Sequence, residues 1–149
     1  MMYLGNEDEF SGYFAPEIEQ LRGYIVKDKS KKTLCVDFDA TIAQHTIPIK
    51  DPNIFSEPPL TDAVKWMQEI IQYFNLVIFT ARVLNAYGIE NLYDWLVSYG
   101  FPTNIFVTNV KPSSGTIFLD DRSINFSGNY LSVQELQDFT PWHTVRSSS

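Results

Sequence analysis

The hydrophobic pattern of the chain alternates between short continuous apolar runs and longer segments with helical spacing. Continuous runs at 33–38, 75–80, 104–109 and 116–120 are typical of strands in a parallel sheet, and 33–38 is expected to be buried on both faces. Apolar residues at intervals of three and four predict helices over 61–74 and 89–100, with further helices over 15–30 and 132–139. This order predicts an α/β fold with a mainly parallel sheet and helices on both faces.

Polar residues and glycine mark the ends of the two longer helices. Thr61 is predicted to cap the start of the first, and Gly100 to end the second. The inward faces are predicted to carry Val64, Met67, Ile71 and Phe74 in the first helix, and Ile89, Leu92, Tyr93 and Leu96 in the second. Residues 44–60 are rich in proline and predict a long loop with a small hairpin, of a length that is often functional.

Length and composition predict one folded domain. The chain has 149 residues, of which 44% are hydrophobic and 15% aromatic. We expect an N-terminal arm and helix over 1–30, a core over 31–140 and a disordered tail over 144–149. Cys35 is the single cysteine, which excludes an intramolecular disulfide, and its apolar surroundings predict a buried side chain. Because we find neither a signal peptide nor an apolar run near ~20 residues, we expect a cytoplasmic protein without membrane contact.

The net charge of −7 argues against a partner that presents a phosphate backbone. A small anionic substrate held by one or two local cations remains compatible with that charge. Four lysines lie close together before the first strand, and we interpret them as a solvated turn rather than a nucleic-acid patch; they are Lys27, Lys29, Lys31 and Lys32.

Each predicted strand ends on residues that can bind or react. In an open parallel sheet, ligands bind beyond the carboxyl ends of the strands. The residues at these ends are Asp37, Asp39 and Thr41 after the first strand, Thr80 and Arg82 after the second, Lys111 after the third, and Asp120, Asp121 and Arg122 after the fourth. Four such endings in one chain predict a functional site at this edge.

The spacing of the acids predicts a metal site. Asp37 and Asp39 are two apart, so an extended backbone projects both carboxylates to the same side. Carboxylates that converge repel, and one is driven neutral unless a cation intervenes. Hard oxygen ligands favour Mg²⁺, and with Lys111 and a hydroxyl they suit phosphoryl chemistry. Ile42 and Pro48 exclude an EF-hand loop, whereas a glycosidase pair stays open but would leave Lys111 and Thr80 without a role.

The motifs resemble those of the haloacid dehalogenase (HAD) superfamily of phosphohydrolases, in the same order. "VDFDAT" resembles the first motif, "VIFT" the second, Lys111 the third and "FLDDR" the fourth. The commonest first motif has glycine where this chain has Ala40. The resemblance implies a three-layer α/β/α Rossmann-like core. It also implies a small member of the phage or bacterial type, with a minimal cap or none.

The resemblance further implies a two-step hydrolysis of a phosphomonoester. Asp37 would attack phosphorus to form an aspartyl-phosphate, and Asp39 would protonate the leaving oxygen and then activate water. Thr80 and Lys111 would hold the phosphoryl oxygens. The implied Mg²⁺ ligands are Asp37, the main-chain carbonyl of Asp39, Asp120 and Asp121.

Other residues near the strand ends carry less specific signals. Thr41, Arg82 and Arg122 are candidates for substrate binding, although each arginine could instead pair with an acid. His45 is interpreted as a loop residue without a catalytic role, and no role is predicted for Trp142 or His143. Trp66 and Trp95 are interpreted as packing residues.

Three functional hypotheses remain open from the sequence. They are a Mg²⁺-dependent phosphatase of a small metabolite or nucleotide, a phosphatase of polynucleotide ends, and a non-catalytic phosphate-binding module. The predicted partner is a small phosphorylated substrate, and the net charge disfavours nucleic acid. We expect a monomer or a homodimer.

Overall fold

The computed structural model of the protein describes residues 28–82, 85–109, 116–143 and 145. These residues form strands β1 (Thr33–Asp37), β2 (Asn75–Phe79), β3 (Phe106–Thr108) and β4 (Thr116–Leu119). They also form helices α1 (Ala63–Ile70), α2 (Ala86–Tyr99) and α3 (Val133–Gln137). The predicted helix over 15–30 falls almost wholly outside the described residues, as does most of the tail.

The four strands form one parallel sheet in the order β3-β2-β1-β4. The register pairs Asp37 with Phe79 and Val36 with Leu119. The residues that follow β1, β2 and β4 therefore lie at the same edge of the sheet. The α/β class and the parallel sheet predicted from the sequence are confirmed.

The two longer helices begin and end through different means. Asn85 caps α2 by accepting a hydrogen bond from the Gly88 amide, and Gly100 ends it with a φ of 82°, as predicted. The predicted cap of α1 is wrong. The cap residue is Asp62, with a φ of 68° and no side-chain cap hydrogen bond, so Thr61 lies one residue too early. The predicted small hairpin is reduced to isolated bridges, one of which joins Ala43 to Pro59.

Strand β1 lies at the centre of the hydrophobic core. Its first four residues are buried, Val36 completely, so both of its faces are covered as predicted. The predicted inward residues Met67 and Leu92 are also inaccessible, and Tyr93 donates its hydroxyl proton to the Ile105 carbonyl at 2.6 Å. Trp95 is buried against Phe101, and Cys35 is buried as expected.

Helices α1 and α2 share one face of the sheet. Right-handed crossovers that advance from β1 to β2 to β3 place both helices on the same side. Gln68 of α1 donates a hydrogen bond to the Gly100 carbonyl beyond α2, which agrees with this placement. The predicted third layer stays a prediction. None of the helices in the described part of the chain is both long and apolar enough to span a bilayer.

Candidate active site

Three carboxylates meet where β1 and β4 end. One oxygen from each of Asp37, Asp120 and Asp121 lies within 4.8 Å of the others. The register explains this meeting, since Val36 and Leu119 are paired and the next residues of both strands are acids. The sequence predicted the convergence of these three acids, and the structure brings them together.

Burial and mutual repulsion change the proton affinity of this group. Desolvation, a hydrogen bond shared with Asp121 and the negative charges of Asp120 and Asp121 together raise the pKa of Asp37 to about 8. Burial acts to raise the pKa of Asp121 as well, but hydrogen bonds with Asp37 and His143 outweigh it, and this pKa lies below its ordinary value. Burial and the neighbouring acids therefore favour the protonated form of Asp37, while its hydrogen-bond partners favour the ionised form of Asp121.

A divalent cation fits this donor set. Three carboxylate oxygens close together are hard ligands of the type that Mg²⁺ and similar cations prefer. The raised pKa of Asp37 is the response expected of clustered acids when no cation balances them. Asp37, Asp120 and Asp121 are the side chains that would hold such an ion, while the proposed contribution of the Asp39 carbonyl stays a prediction.

The Asp39 carboxylate contacts Arg82. The Arg82 Nη1 atom donates to the Asp39 Oδ1 atom at 2.8 Å, and both side chains are mostly buried. Arg82 also donates to the carbonyls of Pro52 and Ile54, and its guanidinium lies 4.3 Å from the ring centroid of Phe55. The arginine thus joins Asp39 to the long loop after β1.

Threonines 41 and 80 occupy different surroundings. The Thr41 hydroxyl lies 3.4 Å from the Asp37 Oδ2 atom, so the structure brings this residue to the carboxylate group. Thr80 is buried at the end of β2, where its hydroxyl accepts a hydrogen bond from the Arg82 amide. Its predicted role as a phosphate ligand stays a prediction. Lys111 lies outside the described residues.

Arg122 pairs with an acid of the cluster. Its Nε atom lies 3.5 Å from the Asp121 Oδ2 atom, and its amide donates to the Asp120 Oδ1 atom at 2.8 Å. The Arg122 side chain is largely exposed, in contrast to Arg82. Both arginines thus pair with an acid, and their predicted role in substrate binding stays a prediction.

Ala40 adopts a left-handed conformation in the turn between the two acids and Thr41. Its φ is 63°, a value that favours glycine and strains other residues. Glycine would adopt this conformation without strain. The turn is tight, because the Phe38 carbonyl accepts hydrogen bonds from the Thr41, Ile42 and Ala43 amides.

The sequence analysis missed two residues near the C-terminus. The His143 Nε2 atom lies 2.6 Å from the Asp121 Oδ2 atom, and the Trp142 indole donates to the Ala40 carbonyl at 2.9 Å. His45 of the long loop is close by, with its ring centroid 5.7 Å from that of His143. No periodic pattern marks Trp142 or His143, since both follow the last helix in an irregular segment.

A cavity of about 640 Å³ opens beside Arg82. Its wall includes the aromatic rings of Phe38 and Phe55 and the exposed side chains of Ile47 and Ile49. Most of the lining comes from residues 43–57. This range lies almost wholly within the long loop predicted over 44–60, whose length is often functional. Its size is that of a site for a small organic ligand.

No protein-family model matches the chain, and comparisons with curated proteins and with solved structures also give no match.

Proposed function

We propose that the protein is a divalent-cation-dependent phosphatase of the HAD type that hydrolyses a phosphomonoester. The observation that supports this most is the meeting of Asp37, Asp120 and Asp121 at the ends of adjacent parallel strands. Asp39 and Arg82 lie two residues beyond β1 and three beyond β2, at the same edge. Candidates for the nucleophile, the acid, the cation ligands and a positive group thus lie at one edge of the sheet.

In the proposed reaction, a carboxylate oxygen of Asp37 attacks phosphorus, and the bond to the leaving oxygen breaks. Asp39 gives its proton to that oxygen, then accepts a proton from the water that hydrolyses the aspartyl-phosphate. A bound cation, with Mg²⁺ as the proposed ion, would balance the negative charge of the phosphate and the carboxylates.

Arg82 contacts the proposed general acid. It donates to the Asp39 carboxylate at 2.8 Å, and the same guanidinium could bind phosphoryl oxygens of the substrate. Asp39 has to carry a proton in the first step and be ionised in the second. Phosphoryl oxygens that take over the guanidinium would free the Asp39 side chain to approach the leaving oxygen.

The cavity supports a small substrate. A general acid has to lie beside the leaving oxygen, so the leaving group lies on the Asp39 side of the phosphorus. Arg82 contacts Asp39 and also lines the cavity, which places the cavity on that side. We therefore propose a leaving group of nucleoside or aryl size, packed against the aromatic and isoleucine side chains of the wall.

The test is phosphate release from an aryl phosphate with Mg²⁺, measured for wild type, Asp37→Asn and Asp138→Asn. Asp138 is an exposed aspartate beyond α3 that hydrogen-bonds Gln134, so its substitution is the matched control. We expect Asp37→Asn to abolish turnover, the control to retain it, and a chelator to stop it. Turnover that survives Asp37→Asn or the chelator would rule out the proposed mechanism.

A substrate panel separates the remaining hypotheses. Nucleoside monophosphates and aryl phosphates should compete with each other, and oligonucleotides phosphorylated at either end should compete poorly. Preferred turnover of the oligonucleotides would instead indicate a polynucleotide-end phosphatase. Phosphate binding without turnover on the whole panel would indicate a binding module.

A further inference from the structure

Residues 141–143 contact the ends of both β1 and β4 through two side chains. Trp142 donates its indole proton to the Ala40 carbonyl at 2.9 Å, and Ala40 follows Asp39 directly. His143 contacts the Asp121 carboxylate at 2.6 Å. Two consecutive side chains thus reach both of the strand ends that carry the acids.

The His143 contact is buried and directed at one partner. The His143 side chain is 8% exposed and that of Asp121 is 4% exposed. Because an ionised carboxylate only accepts, the His143 Nε2 atom carries the proton and donates it. The Nδ1 atom of the same ring is buried without a hydrogen-bond partner in the described part of the chain. Within those residues, the ring therefore makes its hydrogen bond through Nε2, to Asp121.

This geometry restrains the orientation of Asp121. Asp121 also has a cationic neighbour, Arg122, whose side chain is 62% exposed and lies farther away, at 3.5 Å. A buried donor restricts a carboxylate more than an exposed, flexible one does, since the exposed side chain loses rotamer freedom for each contact it keeps. The His143 ring also packs near the His45 ring, with 5.7 Å between the two ring centroids.

The Trp142 contact restrains the turn between Asp39 and Thr41. Ala40 is held at a φ of 63°, a conformation that alanine leaves readily unless neighbouring contacts maintain it. The indole bond fixes the peptide group after Ala40, and the Ala40 amide donates to the Ala43 carbonyl at 2.8 Å on the other side.

We propose that Trp142 and His143 are positioning residues of the site, with His143 orienting Asp121 for the cation and Trp142 maintaining the turn that carries Asp39. This inference rests on the proposed function, because it concerns the same carboxylates. Outer partners that orient a ligating group typically change metal affinity ten- to a hundredfold when removed.

The experiment measures Mg²⁺ affinity by calorimetry alongside kcat and KM for an aryl phosphate. We expect His143→Phe, which keeps a ring but removes the donor, to weaken Mg²⁺ binding about tenfold or more. His143→Gln can donate to Asp121 and should recover part of that loss. Trp142→Phe should weaken binding less and lower kcat with little change in KM. Gln134→Ala, on exposed helix α3, is the control and should match wild type.

A double-mutant cycle tests whether His143 acts through Asp121. In an Asp121→Asn background, His143→Phe should cause little further loss of Mg²⁺ affinity. If His143→Phe lowered Mg²⁺ affinity equally in the wild-type and Asp121→Asn backgrounds, His143 would not act through Asp121. A His143→Phe variant with wild-type Mg²⁺ affinity would also overturn the positioning role. If His143→Phe does not fold, His143→Asn replaces it, because the asparagine side chain is too short to reach Asp121.

The outcomes separate this inference from the proposed function. Mg²⁺ affinity that depends on His143 in a chain without phosphatase activity would support the positioning role and overturn the proposed function. Phosphatase activity and Mg²⁺ affinity that are both indifferent to His143 would overturn the positioning role alone. A wild-type chain that binds no divalent cation would overturn both.

Discussion

Replacing Asp37 with asparagine should stabilise the cation-free protein while it destroys activity. The folded chain holds a proton on Asp37 up to a pKa of about 8, whereas the ordinary value is 3.8. Between these two values the folded state binds more protons than the unfolded state, so unfolding becomes easier as pH rises. Asparagine cannot ionise, yet its amide can still donate to Asp121 as the protonated aspartate does.

The size of this change in stability follows from the pH range between the two pKa values. For a group that titrates alone, the free energy of unfolding falls by about 1.4 kcal/mol for each pH unit within that range. Asp37 is only partly buried, and the pKa of Asp121 moves the opposite way, so we halve the sum to about 2 kcal/mol between pH 5 and pH 8. For a domain of this length, that corresponds to about 4–8 °C in melting temperature.

The assay is thermal unfolding of wild type and Asp37→Asn at pH 5, 6, 7 and 8 with a chelator present. The difference between the two curves removes the contribution of other titrating groups. The free energy of unfolding of Asp37→Asn should exceed that of wild type by an amount that grows with pH. Mg²⁺ at about a hundred times its dissociation constant should raise the free energy of unfolding of wild type by about 2.7 kcal/mol. A difference that stays constant or shrinks as pH rises would refute the reasoning.

Three further predictions concern the turn, the ion pair and the core. Ala40→Gly should raise stability by up to about 1 kcal/mol in denaturant unfolding, because glycine accepts the positive φ without strain; a loss of stability would contradict this. Arg82→Gln should lower kcat/KM at least tenfold in steady-state assays, while Lys65→Gln on the exposed side of α1 should not. Leu92→Ala should destabilise the protein by about 2–5 kcal/mol in chemical unfolding, since Leu92 is fully buried.

Much of the fold could be predicted from the sequence because its signals are local. A continuous apolar run such as β1 belongs in a parallel sheet, and Gly100 could end α2 because glycine tolerates a positive φ. Thr61 failed as a cap because the chain uses a left-handed Asp62 there, which the residue preference for caps does not reveal.

The acids of the site were predictable for a similar reason, whereas their neighbours were not. Strand ends of a parallel sheet share one edge, so Asp37, Asp120 and Asp121 could be expected there, and the pairing of β4 with β1 brings them together. The sequence could place Arg82 near the site. Its contact with Asp39 depends on the path of the loop after β1, whose Pro52 carbonyl also binds the guanidinium. His143 reaches Asp121 from an irregular segment, and contacts of that kind carry no periodic signal.

The pairing of β1 with β4 has a consequence for how the chain folds. Thr33 pairs with Thr116, so this contact joins residues that are far apart along the chain, and its formation costs loop-closure entropy. Repulsion between Asp37 and the two acids after β4 arises when these two strands pair. A divalent cation that offsets this repulsion should therefore raise the folding rate in stopped-flow kinetics if the pairing forms in the transition state, and lower the unfolding rate if it forms afterwards.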